Sequence, residues 1–338
     1  MEHDKNSALL REDSQGIVHN IPNSRLEKWG INSFGFRGKE IDLEKKKGQI
    51  RVMCLGGSET FGVYECEGRE WPAQLGEMLR DEYPGVEVIN ISVIGLHVKM
   101  RKNYIEKYVL PLQPDILVMY HHRLLTHIKD SIRGIENNLF PGRLDENIKK
   151  YSKSRILFHR LLSEYDKMIA IILPKWLLNH IQMWKLHKKI KRKEKKYLHN
   201  RKPLNKAPEQ IILKYEQDLN SFVDYLKEKN IVPVLSTFPA LITFSNKEIY
   251  KNILMGTRHL FCIELSENGI LDATRKLNDL IKRTAVKQNI LCIDNDNLLR
   301  KTLEYFVDDF HYTDRGSEVI AKNICEALFQ SNLLGKRS

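Results

Sequence analysis

Two short stretches near opposite ends of this 338-residue chain carry the residue types of nucleophilic catalysis. Near the start, the apolar run Arg51–Leu55 leads straight into Gly56-Gly57-Ser58-Glu59-Thr60-Phe61-Gly62. Glycines let the backbone turn sharply and present the Ser58 hydroxyl at the end of a buried strand, beside the N–H groups of a following helical turn. A hydroxyl so placed could attack a carbonyl carbon while backbone donors hold the oxygen that becomes charged. The same glycines would also suit a phosphate loop or a plain turn, although neither Gly-Lys-Ser/Thr nor Gly-x-Gly-x-x-Gly is present. Near the other end stands Val307-Asp308-Asp309-Phe310-His311-Tyr312-Thr313-Asp314-Arg315-Gly316. Asp308, three residues before His311, can turn back onto the imidazole, fix its tautomer and stabilise the imidazolium formed when histidine takes a serine proton. The alternative is a solvated loop histidine beside a helix N-cap at Thr313 or Asp314. Asp309 is in the wrong phase for that contact and is expected as a surface acid.

Other reactive types are less pointed. His121-His122-Arg123 follows an apolar run and would suit a metal or an anion, but no acidic or cysteine partners lie nearby in sequence, so no metal is expected. The five cysteines are odd in number, widely spaced and without a Cys-x-x-Cys pair, which excludes a disulfide framework and a zinc cluster. Cys54 and Cys292 fall in strand-like runs and are expected as small buried thiols. No organic cofactor is called for.

The elements that must position these residues alternate strictly. Strands are expected at Arg51–Leu55, Val86–Ile91, Asp115–Tyr120, Asn230–Ser236 and Asn289–Asp294. Helices are expected at Glu70–Tyr83, Lys99–Leu110, Glu209–Lys229, Leu271–Lys287 and Asp314–Gln330. Apolar strands alternating with amphipathic helices make a parallel sheet covered on both faces, a three-layer α/β/α sandwich. Ligands of such sheets bind outside the carboxyl ends of the strands, just after residues 55, 91, 120, 236 and 294. Residues 1–50 form an N-terminal extension and lead-in, and 51–331 the α/β domain, interrupted at 126–208 by a basic helical insertion. The pocket is expected to draw on Thr237-Phe238-Pro239 onward, with 237–270 as part of a lid.

Taken together, the two reactive stretches resemble the SGNH, or GDSL-type, hydrolases, over most of 30–330 apart from the insertion. Gly56–Gly62 matches the family's Gly-Asp-Ser-x-Thr-x-Gly block with Gly57 in the Asp place, a form similar to a bacterial Gly-Gly-Ser branch. Gly95, in NISVIGLHV, matches the glycine after the second strand; Asp308 and His311 match the closing Asp-x-x-His. Asn32-Ser33-Phe34-Gly35-Phe36-Arg37-Gly38 looks like a lead-in common before the first strand of such proteins. The resemblance implies Ser58 as nucleophile, His311 as general base, Asp308 as its orienter, and the N–H groups of Ser58 and Gly95 as oxyanion donors. The implied fold is flavodoxin-like with five parallel strands. The implied activity is a serine esterase removing an acyl group, acetyl foremost, from a carbohydrate or lipid-linked substrate. One block departs: Leu124 stands where the family has its oxyanion Asn. Either His121, His122 or Arg123 replaces that donor, or the chain is a weak or silent relative that only binds. Acyl transfer to another hydroxyl would use the same triad.

The charge is localised. The chain carries 55 Lys+Arg against 43 Asp+Glu, a net +12. Between Lys149 and Lys206 there are 18 basic and three acidic residues, which leaves the other 280 residues slightly acidic at −3. The basic run Lys185–Lys196 lacks interleaved aromatics and any nucleic-acid motif, so nucleic acid is not expected. Residues 168–202 instead suggest one of two arrangements. One is an interfacial helix with its apolar face among lipid headgroups and its lysines on anionic lipid. The other is a helical hairpin packed on the domain with a solvated lysine face. The stretch Met168–Trp184 contains Pro174 and Lys175 and is too short to span a bilayer. The polar N-terminus lacks a signal-peptide core. The expected location is the cytoplasm, with peripheral contact at the inner membrane face.

Overall fold

The computed structural model describes residues 9–26, 28–96, 101–120, 124–132, 175–198 and 201–334, with the side chains of the 175–198 helix from Trp184 onward. Two antiparallel hairpins open the chain: β1 (Leu10–Glu12) with β2 (Val18–Asn20), and β3 (Arg25–Leu26) with β4 (Trp29–Gly30). These short strands carry too few alternating residues to register in a periodicity reading.

The central sheet is built from β5 (Ile50–Leu55), β6 (Val86–Asn90), β7 (Ile116–Tyr120), β8 (Val232–Ser236) and β9 (Cys292–Ile293). All four pairings are parallel, in the order β6-β5-β7-β8-β9. β7 is buried at every position and β5 at all but Ile50, because helices cover both faces. The strand order reverses at β5, where the chain goes out to β6 and then crosses back to β7. That reversal opens a crevice at the carboxyl edge, the ordinary ligand position of such sheets.

The helices are α1 (Ser58–Phe61), α2 (Trp71–Glu82), α3 (Arg101–Tyr104), α4 (Leu124–Ile132), α5 (Lys175–Leu198), α6 (Glu209–Glu228), α7 (Lys251–Phe261), α8 (Glu267–Gln288), α9 (Asn295–Leu298) and α10 (Asp314–Gln330). α2 and α10 pack on one another, with Tyr83 stacked on Phe329 at 5.3 Å. α4, α6 and α8 pack together as a second group, so the expected three-layer sandwich is what the chain forms. α8 begins earlier than its apolar spacing suggests, because Ser266 caps it by accepting the Gly269 N–H at 3.2 Å. The helix expected to run to Leu110 instead widens into a π turn at Ile105–Val109 and tightens into a 3₁₀ turn at Leu110–Leu112, where Pro111 supplies no N–H.

At the amino edge of the sheet, Arg51 is fully buried yet satisfied. It donates to Glu87 Oε2 and the Leu112 carbonyl, both at 2.7 Å, and to the Leu43 carbonyl at 3.0 Å. A buried guanidinium is tolerated when its donors are engaged in this way.

The segment 237–270 is not a loose lid. Thr237 and Phe238 are fully buried, and Phe238 exchanges hydrogen bonds with the Asn278 side chain at 2.7 and 3.0 Å. Asp309, expected at the surface, is 1% exposed and ties this segment to the histidine loop. Its carbonyl accepts the Leu241 N–H at 2.8 Å, and its Oδ2 accepts the Thr257 hydroxyl at 3.3 Å. Position 309 faces inward because the tight turn that aims Asp308 at His311 rotates its neighbour toward α7.

The outer helix α5 docks on α7. Ile190 packs with Met255 and Ile263, flanked by Leu186 and Tyr197. Glu194 Oε1 pairs with Arg258 at 2.7 Å, and Lys193 donates to the His259 carbonyl at 2.6 Å. The apolar side of 184–198 is therefore spent on protein and is not available to lipid. Lys185, Lys188, Lys189, Lys191, Arg192, Lys195, Lys196 and Trp184 remain exposed.

Candidate active site

Strand β5 delivers Ser58 to the carboxyl edge through a turn that its sequence prescribes. A Cβ on Gly56 would lie 2.0 Å from Thr60 Oγ1, so only glycine lets α1 close over the strand end. Glu59 folds back beneath the turn and its Oε1 accepts the Gly57 N–H at 2.8 Å. The neighbouring strand exit is stitched to the same turn. Ser92 Oγ donates to the Cys54 carbonyl at 3.1 Å, Asn90 Nδ2 to the Thr60 carbonyl at 3.1 Å, and the Val93 N–H to the Gly56 carbonyl at 3.4 Å. Gly95 sits at the bend that follows, with φ of +78°, and is exposed. Among the described residues, neither the Ser58 N–H nor the Gly95 N–H has an acceptor.

His311 arrives from the far end of the chain on a loop fixed just before α10. Thr313 caps that helix, accepting the Gly316 N–H at 3.1 Å, while its own N–H donates to the Tyr305 carbonyl at 3.1 Å. The Val307 N–H donates to the His311 carbonyl at 2.9 Å and closes the turn. Asp308 Oδ1 accepts the N–H groups of Phe310 and His311, both at 2.9 Å, which leaves Oδ2 for the ring. His311 Nδ1 lies 2.8 Å from Asp308 Oδ2, and Nε2 lies 2.8 Å from Ser58 Oγ. Burial alone would push the Asp308 carboxyl up. The hydrogen bond and charge of His311, with the two N–H donors, outweigh burial and hold it below the usual carboxylate range. Asp308 is therefore ionised at neutral pH, and Nδ1 carries the proton toward it. That tautomer leaves Nε2 as an acceptor for the serine hydroxyl, the arrangement required of a general base.

The structure thus brings Ser58, His311 and Asp308 into one hydrogen-bonded line, with Gly95 on the adjoining strand exit. Leu124 is buried in the main core and offers no donor. His121, His122 and Arg123 lie outside the described residues. No cluster of three potential metal ligands occurs among the described residues.

Three features escape a linear reading. The lead-in Asn32–Gly38 forms a turn in which Asn32 Oδ1 accepts the N–H groups of Phe34 and Phe36 at 3.0 and 2.9 Å. That turn aims the buried Arg37 at the Gly56–Gly62 turn, where it donates to the carbonyls of Phe61 and Gly62 and pairs with Glu70 at 3.1 Å. The motif was visible in sequence, and its target was not. Second, Tyr64 lies edge-on to His311, with ring centroids 5.1 Å apart. Third, Glu65 is 1% exposed and its Oε1 accepts the Ser317 hydroxyl at 2.6 Å.

No protein-family model matches the sequence, and no curated protein matches it. Solved structures of similar shape include the acetylxylan esterase Axe2 from Geobacillus stearothermophilus. It is 13% identical, with 86% of this chain and 97% of that chain covered and a TM-score of 0.46. A putative lipolytic protein of the G-D-S-L family from Desulfitobacterium hafniense DCB-2 is 12% identical, with 83% and 100% covered and a TM-score of 0.44. LAE5, an alpha/beta hydrolase enzyme from the metagenome of Lake Arreo, Spain, is 15% identical, with 85% and 97% covered and a TM-score of 0.46.

Glu65 makes stability depend on pH. Burial pushes its carboxyl up from 4.5 to about 7, against the Ser317 hydrogen bond and the Arg37 charge, which pull it down. The unfolded carboxyl loses its proton first, so the native state loses stability as pH rises from about 4.5 through about 7. The loss amounts to roughly 3 kcal/mol over that window. Glu65→Gln should flatten the decline in urea-unfolding free energy between pH 5 and pH 7.5; an unchanged slope would contradict the assignment.

Proposed function

We propose that this chain is a serine esterase of the SGNH, or GDSL, type, which hydrolyses an acyl ester, acetyl foremost, on a carbohydrate or lipid-linked substrate. The observation that carries this reading is the continuous relay Asp308–His311–Ser58, with both ring nitrogens at 2.8 Å from their partners. In the first half-reaction Ser58 Oγ attacks the ester carbonyl carbon as His311 Nε2 takes its proton. Asp308 stabilises the imidazolium through Nδ1–H. The N–H groups of Ser58 and Gly95 hold the oxyanion of the tetrahedral intermediate. Collapse expels the alcohol, which receives the proton from His311, and leaves an acyl ester on Ser58. Water then attacks with His311 as base, and the carboxylic acid departs with Ser58 regenerated. A sugar hydroxyl in place of that water would make the same relay an acyltransferase. The mechanism asks for no metal or organic cofactor.

A second reading, a weak or silent relative that binds without turnover, draws on the buried Leu124. Loss of one oxyanion donor costs about 2.7–4 kcal/mol, roughly 10²–10³ in rate. His121, His122 or Arg123 would have to supply a replacement for full activity. Hydrolysis of a small acetyl ester by the wild type and by Ser58→Ala separates the two readings. The esterase reading expects a fall of at least about 10³ in kcat for the variant; equal turnover by both proteins would reject Ser58 as nucleophile.

We further propose peripheral contact with an anionic membrane, at the inner face in the cytoplasm, through the exposed side of α5 within the 168–202 segment, whose residues 168–174 and 199–200 lie outside the described residues. Among the described residues no helix is long and apolar enough to cross a membrane. The seven exposed cations of α5 and Trp184 occupy one continuous sector of about 160° on the helix. Trp184 is 62% exposed, with Lys188 Nζ 4.8 Å from its ring centroid, which places an aromatic and its charges on the same side. Each such cation contributes about 1 kcal/mol near an anionic leaflet. Charge reversal at Lys188, Lys189, Arg192 and Lys195 should therefore cut co-sedimentation with phosphatidylserine-containing vesicles by roughly a hundredfold or more. Binding equal to wild type would sink the proposal.

A further inference from the structure

Resting on the esterase reading above, we infer that Tyr64 is the platform on which the alcohol part of the ester, a sugar ring, is seated. Among the described residues, two aromatic rings contact the His311 ring. Phe310 lies at 4.1 Å and is buried, whereas Tyr64 lies at 5.1 Å, inclined by 65°, and is 50% exposed. The imidazole that takes the Ser58 proton must hand it to the departing alcohol oxygen, so the alcohol has to sit beside His311. Among the described residues, Tyr64 is the aromatic that borders the imidazole and also reaches solvent.

Its backbone is held before any ligand arrives. The Tyr64 N–H donates to Glu65 Oε2 at 3.2 Å, and Lys28 donates to its carbonyl. On either side, Arg37 donates to the Phe61 and Gly62 carbonyls, and the Cys66 N–H donates to Asp314 Oδ1 at 2.9 Å. Glu65, anchored by Ser317 on α10, ties this segment to the helix that follows the His311 loop. A large side chain on a segment so fixed loses little backbone freedom on binding. A phenol combines an apolar ring face with a polar tip, which matches a pyranose with its C–H face and peripheral hydroxyls. A buried apolar acyl chain would want no such half-wet ring. Tyr64 is therefore assigned to the alcohol subsite and not to the acyl subsite.

The test compares wild type, Tyr64→Ala and Tyr64→Phe on a fully acetylated methyl glycoside and on ethyl acetate. Tyr64→Ala should lose more kcat/KM on the glycoside than on ethyl acetate, by roughly tenfold and mainly through KM. Tyr64→Phe should recover most of that difference. Equal losses on both esters, or none on the glycoside, would overturn the assignment. A binding arm keeps this separate from the esterase reading. In a Ser58→Ala background, where no turnover occurs, titration of the glycoside should show binding that Tyr64→Ala weakens by a similar factor. If the wild type cleaves neither ester, the esterase reading fails, and the titration still decides Tyr64. Absent binding, or binding that Tyr64→Ala leaves unchanged, overturns the platform.

Discussion

The hydrogen bond from Ser58 Oγ to His311 Nε2 joins residues 253 positions apart, and the architecture can be read as what holds that distance at 2.8 Å. Ser58 is fixed by the exit of β5, the second strand of the sheet from its edge. His311 is fixed by the N-cap of the last helix. The two are brought to one edge because every strand of the sheet runs the same way, and because α10 packs on α2 beside it. Where Gly316 enters α10, a Cβ would lie 2.1 Å from the Tyr305 carbonyl oxygen, so the loop and helix touch backbone to backbone. The imidazole has little room to drift.

Around this bond the charges are arranged to favour one proton position. Asp308 is held ionised by its donors, and its other oxygen faces Nδ1. Beside the Gly56–Gly62 turn, Arg37 and Glu70 form a buried pair, while Glu65 accepts the Ser317 hydroxyl and the Tyr64 N–H. One acid, Asp308, stays charged against the imidazole, and another, Glu65, next in sequence to the Tyr64 whose ring borders that imidazole, is pushed by burial toward neutrality. This follows from solvation. Asp308 is met by backbone N–H groups, whereas Glu65 is enclosed among side chains that offer it fewer donors.

Much of this was legible in sequence, and the limits have a physical basis. The five strands announce themselves because a sheet covered on both faces demands continuous apolar runs such as DILVMY. The glycine turn at Gly56–Gly62 and the Asp308–His311 spacing are local signals, since each geometry closes within a few residues. Asp309 was misread because its burial depends on Leu241 and Thr257, which its own neighbours do not reveal. Tyr64, Glu65 and Arg37 escaped for the same reason: their partners are, in turn, His311, Ser317 and the carbonyls of Phe61 and Gly62. The π turn after α3 depends on packing that periodicity does not encode.

The net charge of +12 says little about the chemistry of the crevice, because 18 of the 55 cations lie between Lys149 and Lys206, seven of them on the exposed side of one helix, while the other 280 residues are slightly acidic. On the proposed esterase reading Leu124 bears more directly on rate, since it stands where the resemblance would put an oxyanion donor. Whether the relay is competent despite that loss is the central question, and an activity-based label answers it without knowing the substrate. Intact-mass and peptide analysis after treatment with a fluorophosphonate should find a single adduct on Ser58 that His311→Ala abolishes. No adduct on the wild type, or equal labelling of the His311→Ala protein, would contradict an activated serine at this site.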